Sequence, residues 1–558
     1  MLPVGINKKN MELKNGLKLI IVIAFMLATI PVGAVTYYVN AKAGNDRNDG
    51  VSKHRALKTL EKVNQLKLKP GDKVLLASGQ TFNGSLILNG ISGSKKKPIE
   101  IKEYISSEGN GLPQINARGW RNGILVLNCS HVKISNIAVT ADAGGVPGGK
   151  VIKNDMRCGV LVTNNKPGVY EGVELSHLIV KDMFYADKDV VRSKKETNSP
   201  NGTQAYGWGI RLINRSKEAM MKGMKVESCK VENVGHTGIK VTGGKHSIQD
   251  LKLFNNTITH TGGPGMQMSG VLNGHVKGNI ITYSGSTTDT RKWGRGSGLW
   301  TWGCSKVLIE HNEFRYANGP ADSAGCHIDF NCDNVIVQYN ISEANAGGFC
   351  EILGNNYNCA YRYNISINDG HRVKKKGVAF QEGKIFWLSG FNGKGKEHNG
   401  PFNSYFYNNT IYVKSDIEAK VAVTRTAQGA LLANNIFFIE GQSKMVMGDQ
   451  YKPASEGESF IKNVVFKNNL FLRADNWPGE VLIKDATPVI GDPQFTNPNG
   501  HKAEDFMPKN IELVKDKGIR IPQIPMDRKG LYMGLEVKED ILGNQIVGLP
   551  DMGAIEIR

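Results

Sequence analysis

A short pattern recurs along the chain and restricts the folds open to it: a glycine is followed by residues that alternate as in a β-strand. Copies begin at Gly123, Gly159, Gly209, Gly238, Gly265, Gly298, Gly325 and Gly347. A period of two gives each strand two faces, and the first and third residues after the glycine are mostly apolar. Repeats of roughly 20–50 residues that hold several short strands are typical of solenoids.

A second repeat supports the same architecture. Strands that end in asparagine, any residue and an apolar residue occur at Asn256, Asn279, Asn312, Asn340, Asn364, Asn409, Asn435 and Asn469. The intervals of 23, 33, 28, 24, 45, 26 and 34 residues are uneven, which predicts loops inserted at one corner of the coils. Asparagines at the same corner of successive coils can hydrogen-bond along the stack.

Helical solenoids are excluded by the density of Val, Ile, Thr, Asn and Gly and by the lack of 3.6-residue periodicity. The prediction is an all-β chain, a single-stranded parallel β-helix with inserted loops, whose glycine-led strands stack into one sheet. This domain is expected over residues 35–558, with an N-terminal cap at about 35–110 and C-terminal closing coils at about 475–558. A short helix near Leu57–Leu66 is expected to cap the first coil and cover its open edge.

The first 34 residues are typical of a secretory signal. Lys14 and Lys18 precede the apolar run Leu19–Ile30, and Val32-Gly33-Ala34 is a small-residue cleavage pattern. We therefore expect a secreted or periplasmic protein with no membrane span after cleavage. The alternative, a retained membrane anchor, is disfavoured because the run is short for a bilayer.

The eight cysteines show neither a CxxC pair nor a zinc-ligand spacing. Cys326 and Cys350 fall at equivalent inward positions of their repeats, where a small apolar side chain packs well. Stacking in the core is the favoured interpretation, with disulfides or a metal as the alternative.

The outward positions of three consecutive copies collect polar and aromatic side chains that suit a catalytic groove. The residues that we expect on this face are Trp300, Trp302, His327, Asp329, Phe349 and Glu351. Asp329 and Glu351 are 22 residues apart, about one coil, and adjacent strands lie roughly 4.8 Å apart. Their carboxyls could then approach the ~5 Å separation of a retaining glycosidase, and two like charges that close raise one pKa.

Two alternatives to this catalytic pair stay open. Asp329 and Glu351 could be ordinary sheet-face residues paired with Arg or Lys. If Gly348 rather than Gly347 sets the strand frame, Glu351 points inward, where an unpaired carboxylate is costly.

The remaining candidates line the same predicted stripe. Trp300 and Trp302 offer flat surfaces for stacking a pyranose, and Phe349 is expected to contact the substrate as well. His327 could orient a carboxylate or bind a hydroxyl, and Asp322 could be a supporting acid or a sugar ligand. Further along the stripe, substrate contacts are predicted from Gln267, Lys240 and Arg211.

Charge indicates the class of partner. The formal net charge is +19, and basic residues cluster in segments 192–195, 291–295, 372–376 and 394–396, with Arg291 predicted to contact substrate. Such a surface favours polyanions. Because the chain has an export signal and no nucleic-acid-binding motif, nucleic acid is not expected, and a uronate-bearing or sulfated polysaccharide or oligosaccharide fits better.

Both ends of the chain resemble a known family. Tyr37-Tyr-Val-Asn-Ala-Lys-Ala-Gly-Asn-Asp46, Asp49-Gly50, Ala56-Leu-Lys-Thr-Leu60 and Lys69-Pro-Gly-Asp-Lys-Val74 look like the first coil of secreted right-handed parallel β-helix proteins of the pectate-lyase-like superfamily, and Asp551-Met-Gly-Ala-Ile-Glu556 resembles their last coil. That family consists largely of polysaccharide lyases and glycoside hydrolases. The Asp322–Glu351 segment is similar to β-helix retaining glycosidases such as the family 120 β-xylosidases. The likeness implies Asp329 as nucleophile and Glu351 as acid/base, without a cofactor or a metal.

Two other functions are compatible with the sequence. In a β-eliminating lyase, Lys240, Arg211 or His236 would abstract the proton next to a uronate carboxylate, and Asp322 and Asp329 could hold calcium. The sequence contains no compact aspartate cluster resembling a calcium site. A non-catalytic glycan-binding solenoid would need the aromatic groove but not the carboxylate pair. Glycoside hydrolysis is the function we expect first.

Overall fold

The fold is described from a computed structural model, which describes residues 33–107, 109–145, 156–202, 206–446, 462–481 and 483–558. Residues 1–32, which hold nearly all of the predicted secretory signal, lie outside this part of the chain. No helix among the described residues is long and apolar enough to cross a membrane.

The described strands form three long parallel sheets, and each coil contributes to all three in turn. The 16-stranded sheet contains Thr36–Val39, Lys73–Ala77, Ile99–Tyr104, Val132–Ser135, Gly168–Glu171, Glu174–Ser176, Ala219–Lys222, Lys225–Glu227, Ile248–Phe254, Val271–Lys277, Ser305–Glu310, Asp333–Gln338, Ala360–Arg362, Phe402–Tyr407, Gln428–Ala433 and Lys462–Lys467. The 14-stranded sheet contains Thr81–Asn83, Gln114–Asn116, Ala138–Asp142, Ile179–Phe184, Lys230–Val234, Thr257–Thr261, Ile280–Thr282, Glu313–Arg315, Ile341–Glu343, Ile365–Ile367, Thr410–Val413, Ile436–Ile439, Leu470–Phe471 and Val489–Ile490.

The third sheet, called the site sheet below, contains twelve of the described strands. They are Leu86–Asn89, Asn122–Leu127, Cys158–Asn164, Trp208–Asn214, Ile239–Thr242, Met266–Ser269, Leu299–Trp302, Cys326–Ile328, Gly348–Ile352, Lys384–Leu388, Ala419–Val423 and Ser443–Met445. The predicted parallel β-helix with its glycine-led strands in one sheet is therefore confirmed.

The repeated glycine has a steric cause. Seven of these glycines, from Gly123 to Gly325, lie in register on successive strands of the site sheet. A Cβ atom there would collide with the neighbouring backbone or with branched side chains of the 14-stranded sheet, such as Val180 against Gly159 and Ile281 against Gly265. Glycine thus lets two sheets meet closely at this corner.

The predicted asparagine ladder is present and fully buried. Along the ladder, Nδ2 of one asparagine donates to Oδ1 of the next at 2.8–3.0 Å. The ladder consists of Asn256, Asn279, Asn312, Asn340, Asn364, Asn409, Asn435 and Asn469. From Asn279 onward each Oδ1 also accepts the backbone N–H of the preceding asparagine in the ladder, so that Asn312 accepts from Asn279 and Asn340 from Asn312. The ladder satisfies polar groups that turning the chain would otherwise leave unpaired inside the solenoid.

The alternate faces of the sheets bury two separate cores. One lies inside the coils, where Val335, Val337 and Phe406 pack. The other lies outside, where Ile336, Tyr405 and further outward side chains are covered by C-terminal residues: Phe495, Phe506, Val514, Ile524, Leu531, Ile541, Met552 and Ile555. The C-terminal stretch is expected to form closing coils. Its last described strand is Val489–Ile490, and the residues after it pack against the outer surface of the coils.

Helices are few and short. The α-helices are Leu60–Val63, Lys194–Thr197 and Ile511–Val514, and the 3₁₀ helices are Lys53–Arg55 and Ala503–Phe506. The first α-helix lies within the segment predicted to cap the first coil, and its Leu60 and Val63 are buried in the inner core. All eight cysteines are buried and free, as the core-stacking interpretation expects.

Candidate functional site

A groove of about 1010 Å³ crosses the outer face of the site sheet. Its lining residues are Pro200, Asn201, Arg211, Lys240, Thr242, Gln267, Ser269, Arg295, Trp300, Trp302, Asp322, His327, Asp329, Phe330, Glu351, Leu353, Phe391, Gly393, Lys394, Gly395, Lys396 and His398. Nine of the eleven predicted site residues are therefore in one groove, and the exceptions are Arg291 and Phe349.

The groove floor is two rows of side chains that run across the strands. Strand pairing aligns the first row, which consists of Arg211, Lys240, Gln267, Trp300, His327 and Glu351. The second row lies two residues further along each strand and consists of Thr242, Ser269, Trp302, Asp329 and Leu353. Each row changes from basic or polar at one end to aromatic and acidic at the other.

Asp329 and Glu351 do not occupy the same step of the repeat, contrary to the prediction. Ile328 pairs with Ile352 and Ala324 with Gly348, so Glu351 lies level with His327. Asp329 is one pleat further along, and the Cα atoms of the two acids are then roughly 8 Å apart from the strand spacing and rise. Glu351 still faces the groove, because a shift of two residues preserves the face.

The same shift places Phe349 in the core. Phe349 takes the register position that Gly325 holds one coil earlier. Its ring is 3% exposed and packs against Tyr361 and Phe406 at centroid distances of 5.6 and 6.1 Å. The predicted contact between Phe349 and substrate is therefore wrong.

Asp322 is held from several directions by the loops above the sheet. Its Oδ2 accepts a 2.8 Å hydrogen bond from Nε of Arg295, which is 1% exposed, and its backbone N–H donates to Oε1 of Gln381 at 2.8 Å. Arg372 donates to the backbone carbonyl of Asp322 at 3.0 Å. Asp322 and Ser323 have φ values of 50° and 66°, in the left-handed region that non-glycine residues adopt at a cost. The loop that carries this carboxylate therefore includes two residues in an unfavourable backbone conformation.

The three groove carboxyls have different proton affinities. Burial would raise the pKa of Asp322, but the charge and hydrogen bond of Arg295 outweigh it and hold that pKa below its usual range. Burial raises the pKa of Asp329 to about 8, and the charge of Asp322 adds to this shift. Burial also raises the pKa of Glu351, with His327 opposing. At neutral pH the lowered pKa keeps Asp322 ionised, whereas a pKa of about 8 leaves Asp329 mostly protonated.

His327 is held in the groove by two contacts. Its ring stacks on Trp300 at a centroid distance of 5.8 Å and an interplanar angle of 16°, and its Nδ1 lies 3.1 Å from Oγ of Ser297. Ser297 is fully buried and also accepts the backbone N–H of Ala324 at 3.2 Å. These contacts set the ring plane of a side chain that is 5% exposed to the groove.

Aromatic side chains form one wall. Trp302, 36% exposed, meets the edge of Phe330 at 6.0 Å. Phe330 in turn meets Phe391 at 5.6 Å, and Phe391 meets His398 at 6.1 Å. Trp302 lines the groove with more than a third of its surface exposed, which suits an aromatic platform for a sugar.

The opposite end of the groove is basic. Arg211 and Lys240 are register neighbours, and both lie over the ring of Trp208, at 4.2 and 5.0 Å. Burial lowers the pKa of Lys240 to about 7, and Arg211 adds to this effect. His236, the third base considered for a lyase, stacks on Trp208 at 3.7 Å and is 1% exposed.

The structure corrects the prediction for Arg291. Its guanidinium is 2% exposed and pairs with Asp142 at 2.5 Å and Asp289 at 2.7 Å, above the ring of Phe184. Arg291 is therefore a buried structural residue that links its own loop to Asp142. Arg295, only four residues later, enters the groove because its partner is Asp322.

The donor side chains bear on whether the groove could hold a metal ion. Within the part of the chain that the structure describes, His, Cys, Asp and Glu side chains form no group of three or more arranged to hold a metal ion. Asp322, the first calcium ligand considered for a lyase, is instead paired with Arg295.

Comparison with known proteins agrees with this fold. Residues 208–381 match the family described as a right handed beta helix region. A lacto-N-biosidase from Bifidobacterium longum subsp. longum is 24% identical over 626 aligned positions, which cover 95% of this chain and 37% of the relative. The chain thus spans little more than a third of the length of that curated relative.

A solved structure is also similar. The crystal structure of GH136 lacto-N-biosidase from Eubacterium ramulus has a TM-score of 0.53 at 20% identity and covers 74% of this chain and 68% of that chain. Together with the three parallel sheets, these matches identify the fold as a right-handed parallel β-helix.

Proposed function

We propose that this protein is a glycoside hydrolase whose reacting carboxyls are Asp322 and Asp329. The observation that carries the proposal is that two carboxyls in unlike environments line one groove: Arg295 donates to Asp322 at 2.8 Å and holds its pKa low, whereas burial raises the pKa of Asp329 to about 8. Glycosidases need one carboxylic acid that protonates the glycosidic oxygen and one carboxylate that attacks the sugar or activates water.

The reaction that these groups support is hydrolysis of an acetal. The C–O bond to the leaving sugar breaks as its oxygen takes a proton from the neutral carboxyl, and water supplies the new oxygen at the anomeric carbon. His327 and Glu351 lie in the first row, beside the row that contains Asp329, and are placed to bind hydroxyls of the sugar. Trp300 and Trp302 provide apolar surface for the rings on either side.

The similar proteins support the class of reaction. Both are named as lacto-N-biosidases, and one of them aligns with 95% of this chain. The proposal for this chain is hydrolysis of a polysaccharide or oligosaccharide, with an anionic glycan as the finer expectation. The net charge of +19 and the basic end of the groove support the finer expectation.

A β-eliminating lyase is the second candidate, because a lysine whose pKa is lowered to about 7 lines the groove. Such a residue can abstract a proton at neutral pH. Against this reaction, a uronate bound at the acidic centre would meet the ionised Asp322.

We also propose export of the protein. The supporting observation is the pattern of Lys14, Lys18, the apolar run Leu19–Ile30 and the small residues that follow. The test is N-terminal sequencing of the protein recovered from the growth medium or periplasm. The expected result is a chain that starts near residue 35.

A panel of neutral, uronate-bearing and sulfated glycans tests the reaction class. Products are read both as new reducing ends and as ultraviolet absorbance of an unsaturated uronate. Hydrolysis predicts new reducing ends without absorbance, and their loss in Asp322→Asn and Asp329→Asn. Absorbance that disappears in Lys240→Gln would establish the lyase, and binding without turnover of any glycan would establish a non-catalytic solenoid.

A further inference from the structure

We propose that Lys240 and Arg211 form a subsite for an anionic sugar substituent, away from the acidic centre, so that the charged sugar of the substrate is not the one that is cleaved. The inference rests on the proposed function for its biological meaning, because it identifies a feature of the substrate of the same groove. The binding site itself stands on geometry that does not depend on turnover.

The two cations are built into the sheet rather than carried on flexible loops. Lys240 and Arg211 lie on adjacent strands in register, and both line the groove. The ring of Trp208, which is fully buried, lies beneath both, at 4.2 Å from the Arg211 guanidinium and 5.0 Å from the Lys240 ammonium. A stacked guanidinium and a neighbouring ammonium in fixed positions are preorganised for an oxyanion.

Negative charge is absent near Lys240 within the described part of the chain. The ion pairs found there include none to Lys240, and its ionisation is affected by burial and by the positive charge of Arg211. Arg211 is 6% exposed, and its Nη1 lies 2.8 Å from the sulfur of Met156. The two groups carry like charges side by side at the groove wall, so a carboxylate or sulfate of a ligand would be attracted to both.

Distance separates this basic end from the carboxyls. Lys240 and His327 are three strands apart in the first row, through Gln267 and Trp300, which corresponds to about 14 Å. That is the length of a short oligosaccharide rather than of one ring. Near His327 a charged substituent would meet the ionised Asp322, which would repel it. The groove therefore favours a neutral sugar at the carboxyls and an acidic one at Lys240.

The test compares ligands that differ only in charge. Binding of methyl β-D-glucuronide, methyl β-D-glucoside and glucose 6-sulfate to the full-length wild-type protein is measured by ligand-observed NMR at fixed ionic strength. We expect the anionic sugars to bind about tenfold or more tightly than the glucoside, as one charge-assisted contact allows. The two anionic probes distinguish a carboxylate from a sulfate.

Variants locate the site. Lys240→Gln is expected to reduce the anionic preference to near unity, and Lys240→Arg to retain most of it. Lys394→Gln, an exposed lysine at the other end of the groove, is the matched control and should keep the wild-type preference. Equal binding of charged and neutral sugars, or a preference that survives in Lys240→Gln or is lost in Lys394→Gln, would overturn the proposal.

This outcome is separable from the proposed function. Anion binding at Lys240 without hydrolysis of any glycan would leave the subsite in place and remove the hydrolase. Hydrolysis of neutral glycans by a protein that shows no anionic preference would do the reverse. Folding of the Lys240→Gln variant is monitored by circular dichroism. The Lys240→Arg variant, which keeps the positive charge, is the control in case Lys240→Gln does not fold.

Discussion

The guanidinium of Arg295 donates its Nε hydrogen to the carboxylate of Asp322 at 2.8 Å, across 27 residues of sequence and with only 1% of the arginine exposed. A second hydrogen bond of 2.7 Å from Nη1 to the carbonyl of Asn198 anchors the same guanidinium to another loop. One buried cation thus fixes both the position and the charge of a groove carboxylate.

The first prediction concerns this pair. In Arg295→Met the pKa of Asp322 should rise, since burial then acts without its compensating charge. Activity that needs ionised Asp322 is lost as pH falls through that pKa, so the acid limb of kcat/KM should move to higher pH by at least one unit. Arg291→Met removes a buried arginine of the same loop that pairs outside the groove, and it should lower Tm while leaving the acid limb in place. An unmoved limb in Arg295→Met would show that Asp322 is not the ionised group.

The second prediction ranks the three carboxyls. Asp322→Asn and Asp329→Asn should each lower kcat by more than about a thousandfold, because proton transfer and nucleophilic steps each supply several kcal/mol. Glu351→Gln should cost much less, since burial shifts Glu351 toward its uncharged form and glutamine keeps an uncharged hydrogen-bonding group there. Steady-state rates on an unactivated oligosaccharide, whose leaving sugar needs the donated proton, give the ranking.

Azide provides a second readout for the same variants. If a covalent intermediate forms, azide should restore turnover in whichever aspartate variant has lost the attacking carboxylate, and the product should be a glycosyl azide. An inactive Glu351→Gln beside an active Asp322→Asn would instead favour the pair Asp329 and Glu351.

The third prediction is the alkaline limit of activity. A proton donor whose pKa is raised to about 8 loses its proton as pH rises through that value, so kcat/KM should fall above about pH 8. The limb should shift little with temperature, because carboxyl ionisation has a small enthalpy whereas that of lysine or histidine is large. A strongly temperature-dependent limb would assign the titration to Lys240 rather than to Asp329.

Local pattern was enough to predict the solenoid. Gly298 and Gly325 begin strands that stack in the site sheet, and Asn312 and Asn340 stack at another corner, because both repeats reflect contacts that recur in every coil. The first helix is a local feature as well, because Thr59 caps it by accepting the Lys62 N–H at 3.2 Å. Periodicity therefore carries fold information wherever each coil repeats the same environment.

Register and loop packing could not be predicted in the same way. The glycine that seemed to start the strand of Glu351 is displaced by two residues, and Phe349 fills a position that is glycine in earlier coils. Arg291 and Arg295 are chemically identical and four residues apart, yet they pair with carboxylates that lie 149 and 27 residues away. Which loop carboxylate each one meets depends on tertiary packing, for which a single sequence has no local signal.

The fourth prediction tests the asparagine ladder. Asn340→Ala removes bonds to Asn364, to Asn312 and to the carbonyls of Ile309 and Gln338. The buried groups left unpaired should cost roughly 3 kcal/mol or more. Urea unfolding followed by circular dichroism should show a clearly lower midpoint.

An exposed asparagine serves as the control for this measurement. Asn165→Ala loses only a surface bond with Asn128 and should change stability by less than about 0.5 kcal/mol. Equal midpoints for Asn340→Ala and Asn165→Ala would mean that the ladder is accommodated by water or by repacking.

The fifth prediction separates the two groove tryptophans. Trp302 is 36% exposed and presents its ring to the groove, whereas Trp300 is half-buried and stacks on His327. Trp302→Ala should raise KM about tenfold with a smaller change in kcat, since it removes stacking area without touching the carboxyls. Trp300→Ala should lower kcat as well, because His327 loses the surface that sets its ring plane, and Trp300→Phe should recover part of the lost kcat.

Trp120 is 46% exposed and lies outside the groove, so Trp120→Ala is the control and should leave both constants unchanged. Steady-state kinetics with Tm measured for each variant decide the matter: equal effects on kcat from Trp300→Ala and Trp302→Ala would show that both rings only bind the sugar and that His327 is held by Ser297 alone.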